Sequence, residues 1–188
     1  MHLRTAVPGD ALQIAALHAA SWRYTYRGVL SDAYLAEQIA SERAAFWVKC
    51  LEPRLRSQFL VVAEAQIQIV GFACAYANAD AQWGTLLDNI HVSQALQGKQ
   101  IGTRLLGAIA QWCLSTNSNN GLFLWVLQSN VHAHRFYEGL GALKTGVDAW
   151  TPPGGGTLPR YRYAWLDVEI LNKKVTDRLA LPQCGNSV

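Results

Sequence analysis

The segment Leu122–Leu127, LFLWVL, is the feature that most limits how this chain can fold. An unbroken apolar run of this length is typical of a strand buried on both faces of a sheet. The helix predicted before it, Gln100–Ser115, carries Ile101, Leu105 and Ile109 on one apolar stripe. A strand, this helix and the buried strand together predict a parallel βαβ crossing, and therefore an α/β or α+β sheet.

The other elements follow from periodicity and from turn residues. Asp10 and Ser31 are expected to cap helices that run towards Trp22 and Leu51. A short helix, Val131–Leu140, is closed by Gly141. The remaining strands are predicted at Leu3–Ala6, Phe59–Glu64, Ile69–Tyr76, Leu86–Val92, Ala142–Asp148 and Arg162–Leu166.

Composition indicates one domain. The chain has 188 residues, of which 51% are hydrophobic and 15% are charged, so it can form a sizeable core. We expect a single domain over residues 1–168. Residues 169–188 are polar and are expected to form a weakly packed C-terminal tail.

Several functional classes are disfavoured. The net charge is only +3 and the longest basic run is Lys173–Lys174, so a nucleic-acid partner is not expected. The chain has neither an apolar stretch long enough to span a membrane nor a signal-peptide pattern at its start. The cysteines are far apart and form no metal-ligand pattern, which favours reduced thiols, a cytoplasmic location and no bound metal; they are Cys50, Cys74, Cys113 and Cys184.

The segment SQALQGKQIGT connects a predicted strand to the helix at Gln100. A glycine-bearing turn at a helix N-terminus presents unpaired N–H groups and a positive dipole end, which suit a phosphate or diphosphate. Gly98 and Gly102 allow close approach, Lys99 adds charge and the Thr103 hydroxyl could donate a hydrogen bond. The spacing fits neither a Walker loop nor a dinucleotide fingerprint. By spacing alone, a turn without a ligand is equally consistent.

Two motifs resemble the GCN5-related N-acetyltransferases, the GNAT family. LLDNIHVSQALQGKQIGTRLL resembles the family's coenzyme A segment, Q/R-x-x-G-x-G/A, with Gln97 and Gly102 matching and Gln100 replacing the middle glycine. If that position needs a positive φ, glutamine is strained by about 1 kcal/mol or more. SNVHAHRFYEGLGA resembles the second motif, N-x-x-A-x-x-F-Y-E-x-L-G-F, and SWRYTYRGVLSDAYL is similar to the first helices of many members.

The resemblance covers about residues 1–168 and implies a GNAT fold. That fold is a mixed, mostly antiparallel sheet of six to seven strands, with a splayed central parallel pair and about four flanking helices. It implies that acetyl-CoA lies between the splayed strands, with main-chain contacts at Ile90 and Val92, or that these two residues serve only as core. The diphosphate would lie on Gln97–Thr103. The cofactor residues implied are Ile90, His91, Val92, Gln97, Gly98, Lys99, Gln100, Ile101, Gly102, Thr103, Asn130, Ala133 and Tyr137.

The resemblance also implies direct attack of an amine on the thioester. An alkyl ammonium with a pKa near ~10.4 must lose a proton first. Asp88 is the candidate base, and its alternative roles are recognition of a cation or a purely structural contact. Strict alternation puts Asp88 on the face of Ile90 and His91 on the opposite face, unless a bulge redirects His91. Tyr137 is the candidate acid for the departing thiolate, and a backbone N–H near Ile90 or His91 is the candidate oxyanion donor.

The residues expected to contact the amine acceptor are indicated less specifically by the sequence. Trp22, Tyr24 and Tyr26 lie where the family builds its acceptor wall, although ordinary packing explains them equally well. Trp83, Asp148, Trp150 and Arg160 flank segments that could close over a substrate, and Pro152–Gly156 is a connector or a lid.

We therefore predict an acetyl-CoA-dependent N-acetyltransferase that acts on a small-molecule or amino-acid-like amine. A homodimer is left open. The alternatives are a non-catalytic acyl-CoA-binding module and an acyltransferase that uses a longer acyl-CoA.

Overall fold

A computed structural model describes residues 1–52, 55–116, 121–153 and 156–181. The strands are β1 (His2–Thr5), β2 (Gln58–Ala65), β3 (Gln68–Asp80), β4 (Gly84–Val92), β5 (Leu122–Leu127), β6 (Leu143–Trp150) and β7 (Leu158–Trp165). The helices are α1 (Ala11–Thr25), α2 (Ile39–Leu51), α3 (Ile101–Ser115), α4 (Val131–Glu138) and α5 (Val168–Ala180), and one π-helical turn, Tyr34–Gln38, precedes α2.

The strands form one sheet in the order β1-β2-β3-β4-β5-β7-β6. Every neighbouring pair is antiparallel except β4–β5, which α3 connects. The predicted mixed sheet with a central parallel pair is confirmed.

Alternation along β2 and β3 divides the core between the two faces of the sheet. Val61 and Ala63 face α3 and α5, whereas Leu60 and Val62 face α1 and α2. Since successive strand side chains point to opposite faces, each strand is held from both sides by burial of apolar surface.

The two central strands separate early. β4 and β5 pair only at Thr85↔Leu122 and Leu86↔Phe123. Beyond Leu86, β4 continues to Val92 with no strand among the described residues paired to its β5-facing edge. Part of the backbone of β4 therefore remains available to an extended ligand.

The two predicted helix caps differ in outcome. Ser31 Oγ accepts a hydrogen bond from the Tyr34 N–H at 3.2 Å, as predicted. Asp10 makes no capping bond at α1. Its carboxylate instead accepts from the Arg4 guanidinium at 2.7 and 2.9 Å and from the Val7 N–H at 2.8 Å. The ion pair with Arg4 of β1 holds the carboxylate away from the start of α1.

The expectation of a weakly packed tail is wrong for residues 168–180. They form α5, which begins with the Asp167 carboxylate accepting from the Glu169 N–H at 2.8 Å. Leu171 and Val175 are buried against α3. The segment is polar because only one side of the helix is covered. Residues 182–188, including Cys184, lie outside the described residues.

Within the described part of the chain, no helix is both long enough and apolar enough to cross a bilayer. The predicted irregular segment 151–160 connects β6 to β7, and β7 begins at Leu158, earlier than predicted. Residues 154 and 155 of the suggested lid are outside the described ranges.

Helices α3 and α5 approach each other closely at Gly107. A Cβ at Gly107 would lie 2.8 Å from Val175 Cγ1, and a branched side chain cannot easily move away. We expect Gly107→Ala to lower the free energy of unfolding by about 1–3 kcal/mol, reduced by up to about 1 kcal/mol of helix propensity. Urea unfolding measures this. In a Val175→Ala background the effect should largely disappear, and an equal effect in both backgrounds would contradict the α3–α5 contact.

Candidate active site

A β-bulge decides which way the side chains of β4 point. Cys74 of β3 pairs with Asn89 and Ala75 with Leu87, so Asp88 is left without a partner across the ladder. One extra residue reverses the alternation that follows it.

The prediction that Asp88 shares a face with Ile90 is therefore wrong. Ile90 packs on the α3 side of the sheet. His91 lies on the α1–α2 side, with its ring 5.3 Å from that of Phe72. Asp88 faces the same side, where the Arg43 guanidinium of α2 acts on it.

Asp88 lies on β4 beyond the point at which β4 and β5 stop pairing. Its side chain reaches solvent, and Asn89 Nδ2 donates to its carboxylate at 2.5 Å. Desolvation raises the pKa of Asp88, whereas the Arg43 charge and the hydrogen bond from Asn89 lower it by less. A carboxyl with a raised pKa is a stronger base, so Asp88 is suited to accept a proton.

His91 is fixed by contacts with α1. Its Nδ1 lies 2.8 Å from Ser21 Oγ, and its ring centre lies 4.5 Å from that of His18. Trp47 Nε1 donates to His18 Nδ1 at 3.0 Å, so His18 carries its proton on Nε2. Burial lowers the pKa of His91 to about 4, with Arg43 adding to the effect. Both imidazoles are therefore neutral at pH 7.

Tyr137 lies on the α3 side of the sheet, opposite to Asp88. It is buried against Tyr163 and Trp165, with ring centres 6.3 and 6.1 Å away. Burial raises the pKa of its phenol, and Tyr26 of the α1–α2 layer raises it further. The two phenols are thus close enough to interact electrostatically, and Tyr137 remains protonated at neutral pH.

The turn before α3 has the geometry expected of an anion site. Gly98 has φ +78° and Gln100 has φ +59°, so both adopt the left-handed region. Among the described residues, no side chain caps α3. The first N–H groups of α3 therefore lack a side-chain partner, and the expected strain at Gln100 is present.

Some of the residues predicted to contact the phosphate groups are buried and cannot reach a ligand with their side chains. Ile101 and Thr103 are 5% and 2% exposed, so the Thr103 hydroxyl is turned into the protein. The accessible part of the turn consists of Gln97–Gln100 and Gly102. Val92, predicted as a main-chain partner, packs on the α3 side of the sheet beside Gly102.

Asn130 caps α4. Its Oδ1 accepts from the Ala133 N–H at 3.1 Å. The cap fixes the chain immediately after β5, so Asn130 orders the end of this strand.

The predicted acceptor aromatics separate into two groups. Trp22 is buried, and its ring centre lies 4.9 Å from that of Tyr26 and 5.9 Å from that of Trp150. Tyr24 is 59% exposed and does not join them. Arg43 covers Trp22 at 4.9 Å, so packing is at least part of the role of this group.

A second group consists of Trp125 of β5 and Trp83, which precedes β4, and arginines of β7 cover both rings. Arg160 donates to Asp148 at 2.6 and 3.1 Å and covers the Trp125 ring at 4.4 Å. Arg162 covers Trp83 at 4.0 Å. Asp148 and Arg160 are therefore already partnered within the β6–β7 hairpin.

A cavity of about 290 Å³ opens between the α1–α2 connection and the ends of β5 and β7. Its size suits a small molecule. It is lined by Gly28, Val29, Leu127, Ser129, Leu158 and Pro159.

No group of three or more potential metal ligands exists within the described residues. Cys74 and Cys113 are buried thiols, and desolvation raises their pKa values to about 12 and about 11. Such thiols are poor nucleophiles at neutral pH.

Sequence reasoning missed Ser21, His18 and Arg43, which surround His91. No local pattern identifies them, because α1 and α2 meet β4 only in the folded chain. The charge distribution along the chain was a further signal that could have been read from the sequence. Between Asp88 and Glu138 there is no acidic residue, whereas there are three basic ones, so this segment is positively charged; they are Lys99, Arg104 and Arg135.

Comparison with known proteins supports one family. The model of the acetyltransferase (GNAT) family matches residues 15–142, more than half of the chain. The protein named Probable N-acetyltransferase Rv2775, from Mycobacterium tuberculosis, is 27% identical over 167 residues, which cover 87% of this chain and 92% of the relative.

Solved structures share the fold. The PaiA N-acetyltransferase from Thermoplasma acidophilum, in complex with coenzyme A, matches with a TM-score of 0.66 at 17% identity, covering 87% of this chain and 98% of that one. The ribosomal-protein-alanine N-acetyltransferase from Brucella melitensis matches with a TM-score of 0.66 at 16% identity, covering 88% and 99%. At these identities the likeness shows the fold alone.

The neutral state of His91 predicts how stability depends on pH. The unfolded chain binds a proton at His91 below about pH 6.5, whereas the folded chain does so only near pH 4. Stability is therefore lost as the pH falls through this range. We expect His91→Gln to remove on the order of 3 kcal/mol of the decrease between pH 7 and pH 4. Chemical unfolding at several pH values measures this, and parallel curves for wild type and variant would contradict it.

Proposed function

This chain belongs to the acetyltransferase (GNAT) family, and we propose that it transfers the acetyl group of acetyl-CoA to a primary amine of a small molecule or an amino-acid-like acceptor. The transfer is direct, within a ternary complex. The observation that supports the proposal most directly is the position of Asp88 on the part of β4 that diverges from β5, with Tyr137 on the opposite face of the sheet.

Coenzyme A has a suitable binding surface. The pantetheine arm is extended and carries amides, so it can pair with the free backbone edge of β4 at Ile90 and Val92. The diphosphate suits the turn Gln97–Gly102, with its uncapped N–H groups and positive dipole end. A solved structural neighbour was determined with coenzyme A bound.

The amine must lose a proton before its nitrogen can bond to the carbonyl carbon. Asp88 is exposed at the cleft, and its pKa is raised by desolvation, so its carboxylate can accept that proton at neutral pH. The same carboxylate attracts an incoming ammonium group. His91, neutral beside it, adds no repelling charge.

Transfer breaks the bond between carbon and sulfur and leaves a thiolate. The Tyr137 phenol remains protonated because burial raises its pKa, so it can donate to the sulfur. A backbone N–H near Ile90 or His91 is the proposed donor to the carbonyl oxygen, on which negative charge develops. No enzyme nucleophile is needed, in agreement with the buried thiols.

The acceptor is proposed to enter beside Tyr26. The cavity of about 290 Å³ ends at the strand termini where β5 and β7 meet the α1–α2 connection. A cavity of this size favours a small amine over a folded protein surface. The name of the relative from Mycobacterium tuberculosis also specifies transfer to nitrogen.

Binding is tested first. Isothermal titration calorimetry with acetyl-CoA, and with coenzyme A alongside, should give micromolar dissociation constants for both. A panel of primary amines, assayed by release of thiol, then identifies acceptors. No binding of acetyl-CoA near millimolar concentration would contradict the proposed activity.

Two substitutions test the proton transfers. Tyr137→Phe and Asp88→Asn should each lower kcat about 100-fold for the best amine, while the KM for acetyl-CoA changes little. Since Asp88 must be ionised to act, activity of the wild type should fall as the pH drops through its raised pKa, and Asp88→Asn should lose this limb. The exposed Tyr24→Phe is the matched control and should retain wild-type kinetics.

The outcomes separate the alternatives. Tight binding of acetyl-CoA without turnover of any amine indicates a non-catalytic acyl-CoA-binding module. Faster thiol release from succinyl-CoA than from acetyl-CoA indicates a longer acyl donor. Unchanged kcat in Tyr137→Phe would remove Tyr137 from the proposed mechanism.

A further inference from the structure

A hydrogen bond connects the turn before α3 to the end of α5. Gln100 stands in the left-handed region, where a β-carbon is unfavourable by about 1 kcal/mol. Its side-chain Nε2 donates to the carbonyl oxygen of Arg178 on α5 at 3.1 Å. A glycine at position 100 would avoid the strain but could not make this bond.

The guanidinium of Arg178 lies beside the end of α4. Its Cζ is 5.7 Å from the centre of the Phe136 ring, and its Nη1 is 3.6 Å from the Cβ position of Gly139 on α4. Phe136 in turn lies 3.5 Å from the Cβ position of Gly102. The Arg178 guanidinium therefore lies against α4, whose Phe136 packs on Gly102 at the start of α3.

Arg178 is half-buried, and within the described ranges it belongs to no ion pair. The surrounding segments are basic, since Lys99, Arg104 and Arg135 lie in a stretch without acidic residues. Glu138, which ends that stretch, already accepts from the Tyr163 hydroxyl at 2.6 Å. The positive charge of Arg178 is thus left to an external anion.

We propose that Arg178 binds a phosphate group of coenzyme A, so that α5 forms part of the cofactor site, and that Gln100 positions it. The inference rests on the proposed function, because it assumes that coenzyme A occupies the turn. Helix α5 lies beyond residues 15–142, which the family model matches. The 3′-phosphate and the diphosphate share the same chemistry, and the experiment distinguishes them.

The test is calorimetric titration of wild type and Arg178→Gln with coenzyme A and with 3′-dephospho-coenzyme A. Loss of a charge-assisted hydrogen bond should weaken binding of coenzyme A about 10-fold in the variant. Arg178→Lys, which keeps the charge, should retain part of the affinity. Lys174→Gln, an exposed position one turn earlier on α5, is the matched control for net charge and should bind like the wild type.

The two ligands identify the phosphate. A loss with coenzyme A alone assigns Arg178 to the 3′-phosphate, and an equal loss with both assigns it to the diphosphate. Unchanged affinity of Arg178→Gln for both ligands would overturn the inference and leave the proposed function intact. Absence of binding by the wild type would overturn both.

The role of Gln100 is tested by a double-mutant cycle. Gln100→Gly should weaken binding of coenzyme A in the wild type and have a smaller effect in Arg178→Gln, because the amide acts through the position of Arg178. Thermal unfolding of each variant checks that α5 remains packed. Strictly additive losses would show that Gln100 does not position Arg178.

Discussion

The early end of pairing between β4 and β5 is the constraint on which the rest of the structure depends. The two strands share two residue pairs and then diverge, although both continue for several residues. Unpaired backbone in a sheet interior is costly unless another group binds it. The divergence therefore leaves part of the β4 backbone without a strand partner among the described residues, and Tyr137 and Tyr26, which lie in opposite layers, interact electrostatically.

The bulge at Asp88 is a second constraint, because it determines which way the side chains of β4 point. Because it reverses the alternation of β4, Asp88 and His91 share the α1–α2 side, while Ile90 remains on the α3 side. The guanidinium of Arg43 acts on both groups, and desolvation moves the pKa values of Asp88 and His91 in opposite directions. Strict alternation would have placed them on different faces.

Much of the site was predictable where the chemistry lies within a few consecutive residues. The turn Gln97–Gly102 was identified from its glycines at a helix N-terminus, and the motif from Asn130 to Gly141 from its resemblance to the family. Strain at Gln100 was expected on the condition of a positive φ, which the structure has. Helix α5 was missed because its composition is polar, although Val168, Leu171 and Val175 repeat at helical spacing. Polar composition indicates weak packing only when no apolar stripe is present.

The sequence by itself determined the order of the elements, the parallel crossing through α3 and the phosphate-type turn, since each depends on residues that are neighbours along the chain. Only the tertiary structure decided which face Asp88 and His91 occupy and what the strained Gln100 is used for. The first depends on the register between β3 and β4, and the second on a bond between residues 78 positions apart. Local pattern carries no information about either, because both are set by packing between distant segments.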